Sequence, residues 1–384
     1  MEKHAFTRRN FLGTGLAATF GVGTARGGSF PGQDQVDPTK ILNYRPEMEY
    51  RRLEMTDTWL SVISLGGLVA VESVYHYAID HGVNTVHMAD GYLGGRAIET
   101  LGKVFKTRRK DVYLAVKDTF DDIDVVLKQL NTDYIDFLMY PRHKADEVDD
   151  PEKLESLEKY QKAGKVRFAG LTSHGEVKAA TAAGIESGVF SLVMPVLNQP
   201  NLEAMDSDLA RARQKGVGVM AMKTMKGIED DNLQVGYLKK VLQNPAVTTV
   251  LKGFGSFEMF DSYLSAARET LSAAEDRSLY RHAQVNRQSN CMMCDECREA
   301  CPYGVEISTI LRCKDYYAEQ LGDWKTALET YRGIPAGKVG DDRCLLCGDC
   351  EPACPNGIDI VNRTTAARRL FSAPPAPGVL GQSV

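Results

Sequence analysis

The feature that most constrains this chain is an alternation. Short β-branched and apolar runs recur at Leu60–Leu65, Asn84–Met88, Val112–Val116, Tyr134–Tyr140, Val166–Leu171, Leu192–Leu197, Gly218–Met222 and Val247–Leu251. Amphipathic stretches separate them: Leu154, Leu157 and Tyr160 share one helical face, as do Phe257, Phe260, Leu264 and Ala267. Gly82, Gly164 and Gly216 stand just before the following strand, where a left-handed residue ends a helix. Eight strand–helix units in roughly 220 residues predict an α/β fold, a (β/α)8 TIM barrel over residues 49–278. A doubly wound sheet is the competing arrangement, but no G-x-G-x-x-G follows the first strand. In a barrel the site belongs at the C-terminal ends of the strands.

The second constraint is cysteine placement. The chain has nine cysteines, and all lie between Cys291 and Cys354. Cys291-Met292-Met293-Cys294-Asp295-Glu296-Cys297-Arg298-Glu299-Ala300-Cys301-Pro302 reads C-x2-C-x2-C-x3-C-P, and Cys344 to Pro355 repeats the spacing. This is the run with which bacterial ferredoxins hold 4Fe–4S clusters, three corners from one loop and the fourth from the distant Cys-Pro. The expected metal sets are therefore Cys291, Cys294, Cys297 and Cys354 for one cluster, and Cys344, Cys347, Cys350 and Cys301 for the other. Cys313 is left over and reads as a small buried hydrophobe. A zinc site would use four ligands without the third cysteine and the Cys-Pro. Disulfides would force neighbouring cysteines to compete within one short loop. The insert Ile307–Gly333 is rich in Leu, Ala, Glu and Lys, so residues 285–371 are expected to form a small, mainly helical dicluster ferredoxin domain.

The N-terminus has the anatomy of an export signal. Arg8 and Arg9 precede Phe11-Leu12 and a weakly apolar Gly/Ala stretch, too short to span a membrane. The pair resembles a twin-arginine signal over residues 1–26, read by a translocase that exports folded proteins; the expected location is outside the cytoplasmic membrane. Residues 27–48 read as a linker and 372–384, with Pro374, Pro375 and Pro377, as a disordered tail. With 46 Lys+Arg against 51 Asp+Glu the net charge is −5, which argues against a nucleic-acid partner.

The barrel segment resembles the aldo/keto reductases. Val83-Asn84-Thr85-Val86-His87-Met88-Ala89-Asp90-Gly91-Tyr92 is similar to the family's second-strand signature, continued by Glu99 and Leu101-Gly102. Asp111–Lys117 is similar to the third strand with its terminal lysine, Thr132–Phe137 to the start of the fourth, and Gly164–His174 to the segment that reaches the nicotinamide ring. Gly218–Lys223 and Lys252-Gly253-Phe254 are weaker echoes of the last two strands. The resemblance implies Tyr92 as the proton donor, with Lys117 lowering its pKa. It places His87 where the family has an aspartate and Pro141 where it has a histidine, with His143 two residues on. A cofactor of the NAD(P) type would lie against Thr172, Ser173, Gly253, Gly255 and Ser256, where helix-start N–H groups could hold a phosphate.

Taken together, the sequence predicts an exported iron–sulfur oxidoreductase. Its barrel would act on a small carbonyl or alcohol, and two 4Fe–4S clusters would exchange electrons with a redox partner protein. The alternative is a barrel that serves only as a scaffold on an electron-transfer protein.

Overall fold

The computed structural model describes residues 37–67, 70–198, 201–225, 228, 230–289, 291, 293–319, 324–335, 338 and 343–372. The twin-arginine segment and the tail beyond residue 372 lie outside the described residues.

The chain opens with a hairpin, β1 (Tyr50–Leu53) paired antiparallel with β2 (Thr58–Ser61). Eight parallel strands then close a barrel: β3 (Ile63–Leu65), β4 (Thr85–Met88), β5 (Tyr113–Lys117), β6 (Ile135–Pro141), β7 (Val166–Ser173), β8 (Leu192–Pro195), β9 (Gly218–Ala221) and β10 (Thr249–Lys252), with β10 returning to β3. The strands are buried almost throughout, as a sheet covered by helices on its outer face requires. The covering helices are α1 (Glu72–Asp80), α2 (Arg96–Arg108), α3 (Ile123–Gln129), α4 (Pro151–Lys162), α5 (Val177–Glu186), α6 (Asp206–Gln214), α7 (Asp231–Leu242), α8 (Phe257–Ala267) and α9 (Ala273–Asn286).

Three boundaries differ from the sequence expectations. The expected first strand, Leu60–Leu65, is two strands: the hairpin partner β2 ends at Ser61, and β3 starts at Ile63. The Asn84 side chain fixes this break, accepting from Ser61 N–H at 2.7 Å and donating to Trp59 C=O at 2.8 Å. Residues 37–48 are not a free linker. Met48 is fully buried, and the Asn43 side chain donates to Ile79 and Val83 carbonyls at 2.6 and 3.1 Å, tying this segment to the end of α1. The barrel also runs past residue 278, because α9 continues to Asn286 and packs on α7; the Tyr237 hydroxyl donates to Leu279 C=O at 3.2 Å.

After α9 come the short helices α10 (Glu296–Glu299) and α11 (Ile307–Leu311), then a π-helical stretch over Arg312–Ala318. The module ends with α12 (Trp324–Arg332) and α13 (Ile360–Ser372). It is helical, as its composition predicts. Among the described residues no helix is long and apolar enough to cross a membrane.

Candidate active site and cysteine centres

The ends of β4, β5, β6 and β7 bring expected barrel residues together. Tyr92 follows β4 and lies flat against the chain at Gly67: a Cβ there would come within 2.4 Å of the Tyr92 ring, so this position needs glycine. The His87 and Tyr92 rings are 6.0 Å apart. His87 is 1% exposed, and neither ring nitrogen has a hydrogen-bond partner. Burial, reinforced by Lys117, lowers its pKa to about 3, so this imidazole is neutral at ordinary pH. It therefore cannot supply the charge of an aspartate.

Tyr92 departs from the poise that the resemblance implies. Burial pushes its phenol pKa up, and Tyr317 and Asp90 push the same way. The ammonium of Lys117 is felt instead by His87, His143 and His174. A phenol so placed stays protonated and can donate a hydrogen bond to a carbonyl oxygen. Pro141 ends β6, and His143 does turn inward. Its Nδ1 accepts from His174 N–H at 3.2 Å, which leaves the proton of the neutral ring on Nε2. Burial and then Arg312 depress its pKa to about 2.

The expected cofactor residues are differently engaged. Thr172 and Ser173 end β7 fully buried; Thr172 Oγ1 lies 3.9 Å from Met222 Sδ, and Ser173 Oγ donates to Gly175 C=O at 2.5 Å. Gly253 and Gly255 sit between β10 and α8, with open space beside Gly255, while Ser256 Oγ caps α8 by accepting from Met259 N–H at 3.2 Å. Lys252, the nearest cation in that stretch, donates to Gln234 at 2.9 Å. The side-chain hydroxyls of Thr172, Ser173 and Ser256 are thus engaged within the protein, while the backbone beside Gly255, at the start of α8, stands open.

Apart from Lys223, the residues that sequence reasoning missed come from the module. Its π-helical stretch lies over the barrel mouth. Tyr316 is 5.2 Å from His174, ring to ring, and Lys223 Nζ stands 3.0 Å from the Tyr316 ring centre. Arg312 Nη1 is 3.1 Å from where a Cβ on Gly175 would be, beside His143. Lys223 could have been found, since it follows β9 as Lys117 ends β5. Nothing local marks Arg312, Tyr316 or Tyr317 before the module docks.

Cysteines from the two motifs lie near one another. Burial first raises the Cys297 thiol, and its sulfur neighbours Cys291, Cys294 and Cys354 add to that shift. Cys294, pushed up to about 11, is likewise affected by Cys291 and Cys354. In the second set, burial pushes Cys350 up to about 11, with Cys301 and Cys344 contributing. Cys301, Cys344, Cys347 and Cys350 line one cavity with Ile307, Ile310 and Ile360. The remaining thiol, Cys313, is fully buried. None of the nine cysteines is in a disulfide. Among the described residues no three His, Cys, Asp or Glu side chains converge closely enough for a single metal ion. A cubane takes its cysteines on four separate corners, wider apart than one ion's shell.

Comparison with known proteins concerns the barrel. Residues 69–230 match the sequence profile described as the Aldo/keto reductase family. YqkF of Bacillus subtilis, described as an uncharacterized oxidoreductase, is 25% identical over 302 residues, covering 62% of this chain and 97% of that protein. The crystal structure of a candidate aldo-keto reductase from Pseudomonas aeruginosa superposes with a TM-score of 0.50 at 18% identity, over 60% of this chain and 98% of that one. A Klebsiella pneumoniae aldo-keto reductase solved in complex with NADPH gives a TM-score of 0.47 at 21% identity, over 59% and 92%.

Proposed function

We propose that this chain, an oxidoreductase whose barrel is of the aldo/keto reductase family, couples carbonyl–alcohol chemistry at the barrel mouth to two 4Fe–4S clusters in its C-terminal module. The carrying observation is the placement of cysteines from both motifs: Cys301 of the first lines one cavity with Cys344, Cys347 and Cys350 of the second. The donor set fits the group, because buried thiols held neutral are relieved when iron takes them as thiolates. Cys291, Cys294, Cys297 and Cys354 would hold one cluster, and Cys344, Cys347, Cys350 and Cys301 the other. When bound, the clusters supply one-electron transfer, two of them matching the two electrons by which an alcohol and its carbonyl differ.

In the barrel, Tyr92 holds its proton and donates a hydrogen bond to the substrate oxygen. Neutral His87 keeps the floor of the site free of negative charge. Burial of His174 and the cover of Tyr316 exclude water from the reacting end. Because an alcohol and its carbonyl differ by two electrons and two protons while each cluster passes one electron, a hydride carrier of the nicotinamide or flavin class would stand between substrate and clusters. Export through the twin-arginine route and electron exchange with a partner protein belong to the same proposal and rest on the sequence.

The test is anaerobic purification of the folded chain, followed by iron analysis and a titration with small alcohols and carbonyls watched in the visible spectrum. About eight irons per chain, with absorbance that bleaches or recovers on substrate addition, is the expected result. Iron-free protein, or clusters indifferent to every alcohol and carbonyl, would overturn it.

A further inference from the structure

We infer that Glu176 is a positioning residue of the barrel site and that the first cysteine loop sets it: the turn from β7 into α5, which carries His174 and Gly175, takes its working shape only when that loop holds its cluster. The inference rests on the iron–sulfur reading above and goes beyond it, because it gives the first cluster a structural task besides electron transfer.

The start of α5 is closed from the module. Glu176 stands at the N-cap position, yet its carboxylate is turned to the first cysteine loop rather than to the helix's own N–H groups. The carbonyl of Met293, between Cys291 and Cys294, accepts from Val177 N–H at 3.3 Å in its place. Arg298 Nη2 donates to the Glu176 carboxylate at 2.7 Å, while Arg298 Nε donates to Asp295 Oδ2 at 3.1 Å. The backbone N–H of Ala145 is directed at the same carboxylate, so Glu176 also borders the segment that carries His143.

Backbone strain makes the two sides depend on each other. Glu176, Met293 and Asp295 are left-handed, with φ of 33°, 57° and 72°, and none is glycine. Such residues persist only where their surroundings over-determine them. For Met293 and Asp295 the determining element is the cysteine loop, whose thiolates fold around iron and lose that template without it. For Glu176 it is Arg298 and the Met293 carbonyl of that loop. From Glu176 the chain leads straight into the site. Gly175 lies against His143, Ser173 Oγ donates to Gly175 C=O at 2.5 Å, and His174 N–H donates to His143 Nδ1 at 3.2 Å. A turn released by the loop therefore frees both imidazoles.

Hydrogen–deuterium exchange of the full chain, purified anaerobically and first assayed for iron, tests this. Cys291→Ala removes a ligand of the first cluster, and Cys347→Ala one of the second. Amides of residues 174–178 should exchange about tenfold faster or more in Cys291→Ala than in the unaltered protein, and at nearly the unaltered rate in Cys347→Ala. Should Cys291→Ala fail to fold, Arg298→Gln decides, since it leaves every cysteine in place. It should speed the same amides at unchanged iron content, and Arg298→Lys, which keeps a cation opposite Glu176, should restore most of the protection. Unchanged exchange in a folded Cys291→Ala or in Arg298→Gln, or equal loss of protection in the two cysteine variants, would overturn the inference while leaving the iron–sulfur reading intact. Iron-free protein would overturn that reading and this inference with it.

Discussion

The two cysteine loops share one spacing and one backbone but occupy different surroundings. Met293 and Leu346, at matching positions, have φ of 57° and 56°, and the next matching pair, Asp295 and Gly348, have 72° and 83°. Identical spacing thus bends both loops the same way. Their burial does not match: Met293 is 4% exposed, whereas Leu346 is 54% and Leu345 66% exposed. The cause is the barrel. Val177 N–H donates to Met293 C=O at 3.3 Å, and Arg298 pairs with Glu176 at 2.7 Å, both partners lying just beyond β7. The motif shapes the loop, and the neighbouring domain decides which loop turns inward. On the proposed reading, the first set faces the barrel chemistry, and the second, with Cys347 exposed, faces the electron partner.

The comparison breaks most readily at the matched pair. Met293→Asp buries a charge beside the barrel and should cost about 3 kcal/mol or more. Leu346→Asp should stay within about 0.5 kcal/mol, as a surface change does. Apparent melting temperatures of the two variants, measured anaerobically, check this; equal losses would remove the distinction between the loops. A smaller effect is expected from the docking ion pair, whose side chains are only 23% and 17% exposed. A double-mutant cycle with Glu176→Gln and Arg298→Gln should give a coupling of roughly 1–2 kcal/mol. A value near zero would mean that packing alone seats the first loop.

Acid should separate the regions more gently. The sequence has no histidine after His282, while His87, His143 and His174 lie buried at the barrel mouth. The pKa of His87 is lowered from 6.5 to about 3 by burial and then by Lys117, so the unfolded chain takes a proton that the folded one refuses. Its contribution is complete above pH 6.5 and is lost as pH falls from there toward 3. Melting temperature should decline across that window. His87→Gln should flatten the slope by at most one proton, ~1.4 kcal/mol per pH unit.

Much of this was legible in the sequence. The eight strand runs were readable because each is a short segment rich in β-branched and apolar residues, set between amphipathic stretches. The two cysteine loops were readable because spacing alone fixes which sulfurs share a loop. The hairpin before the barrel merged with the first strand, since Trp59 to Leu65 is one apolar run and only the tertiary bonds of Asn84 divide it. At the site, Tyr92, Lys117 and His143 could be placed because strand ends carry them. Their electrostatics could not, because the approach of Arg312 and Tyr317 depends on a module far along the chain.

The central claim is that each cluster takes three cysteines from one loop and one from the other. Electron paramagnetic resonance of the reduced protein, compared among Cys291→Ala, Cys354→Ala, Cys344→Ala and Cys301→Ala, tests it most directly. Cys354→Ala should lose the same signal as Cys291→Ala, and Cys301→Ala the same signal as Cys344→Ala. Cys354→Ala matching Cys344→Ala would contradict it.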